Sequence, residues 1–171
     1  FADCSALTHL HLPGDVILSS AVFAHCIALT TLTLAGGIST GSQAFFGCSA
    51  LTAVKFASNV AIGDYAFKGC SALTHLKFAS GMSIGCFAFQ HCDSLTVVEF
   101  ASGLSIGDYA FKGCEKLTEV VFASGVRTGQ FAFHDCQALK GVEFANGIAS
   151  ANEALQDCSL QHISPSGSGV G

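Results

Sequence analysis

The sequence predicts an α/β solenoid in which 22-residue repeats stack to form a parallel sheet. Two periodic columns and one strand pattern support this fold class. A cysteine returns every 22 residues, at Cys4, Cys26, Cys48, Cys70, Cys92, Cys114, Cys136 and Cys158. A phenylalanine keeps the same step, at Phe1, Phe23, Phe45, Phe67, Phe89, Phe111 and Phe133. A fixed period of this kind is typical of repeat proteins, whose units bury their apolar faces against one another.

The strand pattern begins three residues after each cysteine. A leucine opens a segment that is apolar at its first, fourth and sixth places, as in Leu73–Phe78. This alternation is typical of a strand with one buried face. Because a 22-residue unit is too short to return antiparallel and repeat identically, we predict that the strands stack in parallel, about 4.8 Å apart.

A turn and a return arm complete each repeat. A small residue follows each strand and suits a turn with positive φ. These residues are Gly37, Asn59, Gly81, Gly103, Gly125 and Gly147. The return arm carries an isoleucine and a glycine, as at Ile106 and Gly107, and then an Ala-Phe pair and the cysteine. We expect a short helical turn in this arm.

Three residue pairs recur in register in the repeats: Ala-Phe, Gly-Cys and Leu-Thr, all present in the segment from Ile106 to Thr118. This arrangement resembles the leucine-rich repeats of the BspA-like class, although the units of that class are commonly a residue longer. The resemblance implies a leucine-rich-repeat right-handed solenoid with its parallel sheet on the concave face. It also implies a recognition protein of the cell surface or a secreted one, used in adhesion or host contact. It carries over no catalytic residue.

The two ends of the chain depart from the repeat. The chain starts within a repeat at Phe1, without a polar segment to cover the first core residues, which predicts a fragment of a longer array. Near the other end, Pro165 is expected to block a proper strand, because proline cannot donate to a ladder. We therefore predict a solenoid over 1–164 and a flexible tail over 165–171.

The composition argues against several classes of function. Hydrophobic residues make up 50% of the chain, charged residues only 11%, and the net charge is −5. Nucleic acid is not a predicted partner, because its backbone requires a basic footprint. The apolar residues occur in short runs interrupted by polar ones, so no membrane span is predicted. No nucleophile, base and orienting carboxylate recur together, so we predict neither an enzyme nor a cofactor.

The cysteines of the column are predicted to be buried free thiols. Disulfides fit poorly, because neighbouring copies would hold their side chains parallel with Cα atoms about 5 Å apart. No paired C-x-x-C spacing indicates zinc. Cys86 lies outside the column, and we expect it to be exposed and reactive.

Outward-facing strand residues form the candidate binding surface. One column reads His9, Thr31, Ala53, His75, Val97, Glu119 and Gly141. The next reads His11, Thr33, Lys55, Lys77, Glu99, Val121 and Glu143. These columns vary while the core columns do not, as in a recognition face built on a scaffold. The sequence therefore predicts that a protein or glycan binds at Lys55, His75, Lys77, Val97, Glu99 and Glu119. The alternative is a solvated surface on which Lys77 and Glu99 form a cross-strand pair.

Three further sets of residues have simpler interpretations. His9 and His11 point the same way, but His75 lies about 14 Å off by strand spacing, so no metal site is predicted. A threonine ladder could match ice, but β-branching already favours threonine in a sheet. Its members are Thr8, Thr30, Thr52, Thr74, Thr96 and Thr118. Aromatic residues of the return arm are predicted to pack by stacking, or to offer a second contact surface if they are exposed. They are Tyr65, Phe87, Tyr109 and Phe131.

Two functional hypotheses follow from the sequence. The first is a non-catalytic recognition module whose varied strand columns contact a protein or glycan outside the cell. The second is a structural spacer or self-associating repeat segment that assembles through its uncapped ends.

Overall fold

The computed structural model describes residues 1–144, 151–156, 158 and 162–165. Within them the chain winds as a solenoid of short strands joined by turns. In chain order the elements are β1 His9–Leu12, β2 Thr31–Leu34, β3 Ala53–Phe56, β4 Ala61–Ile62, β5 His75–Phe78, β6 Ser83–Ile84, β7 Val97–Phe100, β8 Ser105–Ile106, β9 Glu119–Phe122, β10 Arg127–Thr128, β11 Gly141–Phe144, α1 Ala151–Ala154 and β12 His162–Pro165.

The four-residue strands form the main sheet on one side of the solenoid. They pair in the orders β1-β2-β3 and β5-β7-β9-β11-β12, and every pair is parallel. The register is constant, since Leu76 lies opposite Val98 and Val98 lies opposite Val120. The predicted parallel stacking with a 22-residue repeat is confirmed.

A second parallel sheet lies where the sequence indicated only a return path. The two-residue strands β4, β6, β8 and β10 pair in that order. Ile62, Ile84 and Ile106 lie opposite one another in this sheet and are buried. The turns of the solenoid are therefore tied together by a second sheet as well as by the main one.

Two stacks of phenylalanine rings fill the core between the sheets and the return arms. In the return-arm stack, Phe67, Phe89 and Phe111 have centroids 5.0 and 5.1 Å apart and are fully buried. In the strand stack, Phe78 and Phe100 have centroids 5.2 Å apart. The two stacks meet edge to face, as in the 5.5 Å contact between Phe78 and Phe89. Burial of each ring stabilises the fold by roughly 1.5–3 kcal/mol.

The expectation of a helical turn in the return arm holds only for the last arm, where α1 lies, and is wrong for the other described arms. Those arms fold as successive turns, in which Lys68 N–H donates to the Tyr65 carbonyl and Cys70 N–H donates to the Phe67 carbonyl, at 3.1 and 3.2 Å. Tyr65 has a φ of 57°, in the left-handed region, and this conformation ends any right-handed helical run. Among the described residues, α1 is the only helix, and no helix has the length and apolar character needed to cross a bilayer.

The predicted positive φ after each main strand is confirmed where the structure describes it. The values are 75° at Gly37, 60° at Asn59, 72° at Gly81, 75° at Gly103 and 72° at Gly125. Gly147, the last residue of this predicted set, lies outside the described residues.

The expectation that Pro165 blocks a strand is wrong. Pro165 is the last residue of β12, which pairs in parallel with β11 and places Phe144 opposite Pro165. β12 is an edge strand of the described sheet. Proline is tolerated there, because no further strand needs the N–H that proline lacks. Residues 166–171, which make up most of the predicted tail, lie outside the described residues.

Candidate functional site

The outward side chains of the main sheet form a surface that we call the strand face, and every residue predicted to bind a ligand lies on its strands. In one column, His75 lies opposite Val97 and Val97 lies opposite Glu119. In the other column, Lys77 lies opposite Glu99. The two columns therefore run side by side along the solenoid. The members Lys55, His75, Lys77 and Glu119 are exposed, whereas Val97 and Glu99 are half-buried.

The cross-strand pair that the sequence offered as an alternative is confirmed. Lys77 Nζ lies 2.7 Å from Glu99 Oε2, and the two side chains are 81% and 47% exposed. At this exposure the pair contributes about 0–1 kcal/mol to stability, so its main effect is to hold the two side chains in place. Among the described residues, Lys55 has no ion-pair partner within 4.0 Å.

The main sheet is interrupted between β3 and β5. At the next junction along the chain, between β5 and β7, two backbone bonds flank the strands. Thr96 N–H donates to the Thr74 carbonyl at 2.8 Å, and Ala101 N–H donates to the Phe78 carbonyl at 3.1 Å. The equivalent bonds from Thr74 and Ala79 to β3 are missing, although both strands belong to the described part of the chain. We call this unpaired junction between β3 and β5 the notch.

The notch opens on the strand face alone. On the opposite side, Ala61 of β4 still pairs with Ser83 of β6. In the return arms, Phe67 N–H donates to the Ala88 carbonyl at 2.7 Å. The core also remains continuous, because the Phe56 ring stacks on Phe78 at 5.1 Å. The two turns of the solenoid thus stay attached although their main strands do not pair.

Charge offers a physical reason for this separation. In the constant register of the sheet, Lys55 would lie directly opposite Lys77. Like charges at directly opposed positions destabilise strand pairing. Lys77 instead makes its ion pair on the other side, with Glu99. Phe56 is half-buried at the notch, whereas Phe78 and Phe100 are only 1% and 2% exposed.

Two depressions lie on the strand face, near the carboxyl ends of the strands. One has a volume of about 400 Å³ and lies over the notch, with Lys55 and Lys77 at its rim and Phe56 and Ala79 among its walls. The other has a volume of about 370 Å³ and is rimmed by Lys77, Glu99 and Val121. Lys77 borders both depressions.

The structure brings only half of the predicted residues to these depressions. Lys55, Lys77 and Glu99 line them. His75, Val97 and Glu119 lie in the neighbouring column and line neither depression. Sequence reasoning placed Val121 in the outward column without assigning it to the ligand, and it missed the small residues Ala79, Ala101 and Ala123. A signal was present, because an alanine directly follows the last phenylalanine of each of these strands.

Four of the six threonines in the ladder use their hydroxyl groups to bond to the preceding turn. Thr96 Oγ1 donates to the Thr74 carbonyl at 3.0 Å, and Thr118 Oγ1 donates to the Thr96 carbonyl at 3.1 Å. Thr30 and Thr52 make the same contact in the first turns of the solenoid. These bonds tie successive turns together and commit the hydroxyl protons that an ice-binding array would present to water.

The column cysteines from Cys4 to Cys136 are free thiols, and those in the interior are buried, as predicted. Cys70 Sγ donates to the carbonyl of Phe45 at 3.3 Å, and the other column members from Cys26 onward make the same contact. Burial raises the pKa of Cys48 to about 12 and the pKa of Cys70 well above its usual value. Cys86 is half-buried rather than fully exposed, and its reactivity stays a prediction.

The predicted stacking of the return-arm aromatic residues is confirmed. Tyr65, Phe87, Tyr109 and Phe131 are half-buried, and neighbouring centroids lie 4.9–5.1 Å apart. Lys112 Nζ lies 5.6 Å from the Tyr109 ring, within the range of a cation–π contact. The rings cover one another face to face, so this column presents mainly ring edges to solvent.

Among the described residues, no three or more His, Cys, Asp or Glu side chains come together in a cluster that could hold a metal ion. His9 and His11 are exposed on β1.

Comparison with known proteins places the repeat in a family. The profile described as BspA type leucine rich repeat region matches residues 1–83 and 61–168, in six copies. The chain belongs to the BspA-type leucine-rich repeat family. Repeat proteins of this BspA-type family are generally recognition or protein-interaction modules, and leucine-rich repeats are typically non-catalytic. No curated protein matches the sequence significantly.

Solved leucine-rich repeat structures share the BspA-type fold of the chain. A leucine-rich repeat protein from Bacteroides ovatus aligns over 92% of the chain with 26% identity and a TM-score of 0.81. A leucine rich cell surface protein from Faecalibacterium prausnitzii aligns over 82% with 29% identity and a TM-score of 0.68. The chain spans 42% and 40% of the length of these two proteins. A leucine-rich repeat protein of T. pallidum, at 22% identity and a TM-score of 0.56, shares the fold over 92% of this chain and 71% of its own.

Proposed function

We propose that the chain is a non-catalytic recognition module that binds a protein or glycan through its strand face. The observation that carries this proposal is the contrast between the two sides of each main strand. Leu76, Val98 and Val120 repeat one kind of side chain on the inner side. On the outer side, Lys77 and Glu99 stand at equivalent positions with opposite charges. A surface that varies on a constant scaffold is how solenoids recognise partners.

The shape of the strand face supports the same proposal. Its depressions combine apolar floors with charged rims, and their volumes of about 370 and 400 Å³ match those of ligand sites, roughly 300–1,000 Å³. We assign the contacts with the ligand to Lys55, His75, Lys77, Val97, Glu99 and Glu119.

We place this recognition at the cell surface, in adhesion or host contact. The support is that one protein of similar structure, from Faecalibacterium prausnitzii, is a leucine rich cell surface protein.

Affinity capture from host-cell surface extracts tests the strand face. The test variant combines Lys77→Glu with Glu119→Lys, which reverses charges on the strand face and keeps the net charge. The matched control combines Glu115→Lys with Lys116→Glu, because both residues are exposed and lie in the turn before β9. We expect that the unchanged chain and the control retain the same partner and that the test variant loses it by about tenfold or more.

Two results would count against the proposal. If the test variant retains the same partner as the control, the strand face is not the binding surface. If none of the three chains retains anything above a bare resin, recognition of a host surface is rejected.

A self-associating segment is the second candidate, and exposed apolar residues in the first turns favour it. Ile17 is 85% exposed and Ile27 is 55% exposed, although both are large hydrophobic residues. Light scattering against concentration tests this function. A mass that rises with concentration, and that falls back when Ile17 is changed to serine, would support self-association. A mass that stays that of one chain would exclude it.

A further inference from the structure

The notch leaves backbone hydrogen-bonding groups without a strand partner. In a sheet, N–H and C=O groups lie near the plane of the sheet and point towards the neighbouring strand. The N–H groups of Thr74 and Ala79 therefore point from β5 towards β3, but neither donates to β3. Another stretch of polypeptide is the usual partner for groups of this kind.

The rim of the notch is basic. Lys55 and Lys77 lie on either side of it, and both are exposed. Glu99 forms an ion pair with Lys77 from the side away from the notch, with Lys77 Nζ 2.7 Å from Glu99 Oε2. Lys55 has no carboxylate partner within 4.0 Å in the described part of the chain. A carboxylate placed between the two lysines would relieve their repulsion and form charge-assisted hydrogen bonds.

The floor of the notch is apolar and does not suit a sugar ring. It includes Val54, Phe56 and Ala79 in a depression of about 400 Å³. Sugar rings pack on the faces of aromatic rings, but Phe78 covers one face of Phe56 at 5.1 Å. The register places Leu34 beside the other face. Phe56 therefore offers its edge, which suits an aliphatic side chain.

We propose that the notch binds an acidic segment of a partner protein in an extended conformation. Its carboxylates lie between Lys55 and Lys77, its aliphatic side chains lie against Phe56 and Ala79, and its backbone passes over the unpaired N–H groups of Thr74 and Ala79 on the outer side of the sheet. This inference rests on the proposed function, because the notch is part of the strand face, and it names the class of partner.

A synthetic peptide tests this assignment directly. The probe has eight residues that alternate glutamate and valine, with both ends blocked and a fluorescent label. The comparison peptides replace every glutamate by glutamine or by lysine. We expect the acidic peptide to bind at least about tenfold more tightly than either comparison peptide, and to weaken as salt is raised. The backbone amide signals of Thr74 and Ala79 should shift on binding.

Matched variants locate the charge contacts. Lys55→Gln combined with Lys77→Gln should weaken binding of the acidic peptide by about tenfold or more. The control combines Lys116→Gln with Lys140→Gln, which removes the same charge from exposed positions outside the notch. We expect the control to bind as the unchanged chain does.

Three results would overturn the inference. The acidic and glutamine peptides could bind equally well, the amide shifts could fall outside the notch, or a uronic-acid oligosaccharide could bind the notch where the peptide does not. These outcomes are separate from the capture experiment. If the acidic peptide fails while the Lys77→Glu, Glu119→Lys variant still loses its captured partner, the strand face keeps its function and only the notch assignment is rejected.

Discussion

At the scale of single residues, the contact between successive return paths depends on the absence of a side chain. A Cβ at Gly107 would lie 2.7 Å from the backbone nitrogen of Cys86 and 2.7 Å from the carbonyl carbon of Gly85. Gly103 has a different role, because its φ of 75° favours glycine while a Cβ there would meet no atom within 4 Å. The two glycines are therefore conserved within the repeat for different physical reasons.

We predict that Gly107→Ala destabilises the chain far more than Gly103→Ala. The first substitution forces two backbones apart and should cost about 3 kcal/mol of unfolding free energy. The second adds only the strain of a left-handed alanine, about 1 kcal/mol. Urea unfolding followed by circular dichroism measures both. Equal losses in the two variants would mean that the turns of the solenoid are not packed as closely as Gly107 indicates.

Residue spacing alone did not reveal the backbone of the aromatic column. Tyr65, Phe87 and Tyr109 have φ values of 57°, 56° and 56°, a region that bulky residues rarely adopt. The conformation recurs in successive turns, and each ring stacks on its neighbour at 4.9–5.0 Å. Packing between turns of the solenoid offsets the local strain, and no property of an isolated segment would indicate it.

At the scale of elements, the cysteines that recur every 22 residues form a thiol column, and their hydrogen bonds join successive turns of the solenoid. Each buried Sγ donates to a phenylalanine carbonyl 25 residues earlier, as Cys92 does to Phe67 at 3.4 Å. Asp64 provides a similar link on the surface, since its Oδ1 accepts from the N–H of Cys86 at 2.8 Å. The sequence predicted the burial of the column from its period. It could not predict the acceptor, because the acceptor belongs to the preceding turn.

We predict that iodoacetamide at pH 8 labels Cys86 at least about a hundredfold faster than Cys92 in the folded chain. Burial raises the pKa of Cys92 well above its usual value, so its thiol stays protonated as well as covered. Mass spectrometry of timed digests measures both rates. In urea the difference should disappear. Equal labelling in native buffer would contradict the buried thiol column.

At the scale of the whole molecule, the notch divides the main sheet while the rest of the solenoid stays continuous. The second sheet and the return arms cross the junction without interruption. Within the described residues, the pairing between these two turns is therefore interrupted on the strand face while the core stays continuous.

We predict that the Ala79 amide exchanges with deuterium roughly tenfold or more faster than the Ala101 amide. Ala101 N–H donates to the Phe78 carbonyl at 3.1 Å, whereas Ala79 lacks the equivalent bond to β3. Hydrogen exchange followed by NMR compares the two sites in one sample. Equal protection would mean that β3 and β5 pair in solution, and the notch would then not exist.

The sequence by itself determined the period, the register and the buried columns. A step of 22 residues and alternation along a strand fix which side chains face inward, whatever the details of the backbone. Leu76, Phe78 and Cys70 were therefore assigned to the core correctly. The same logic placed Lys77 opposite Glu99.

Only the tertiary structure decided which outward residues share a binding depression. That outcome depends on how side chains of successive turns pack together, which alternation along a single strand does not specify. It brought Val121 and Ala79 to the depressions and left His75 outside them. Alternation along a strand decides the side of the sheet on which a residue lies, but contacts between turns of the solenoid decide which residues on that side line a depression.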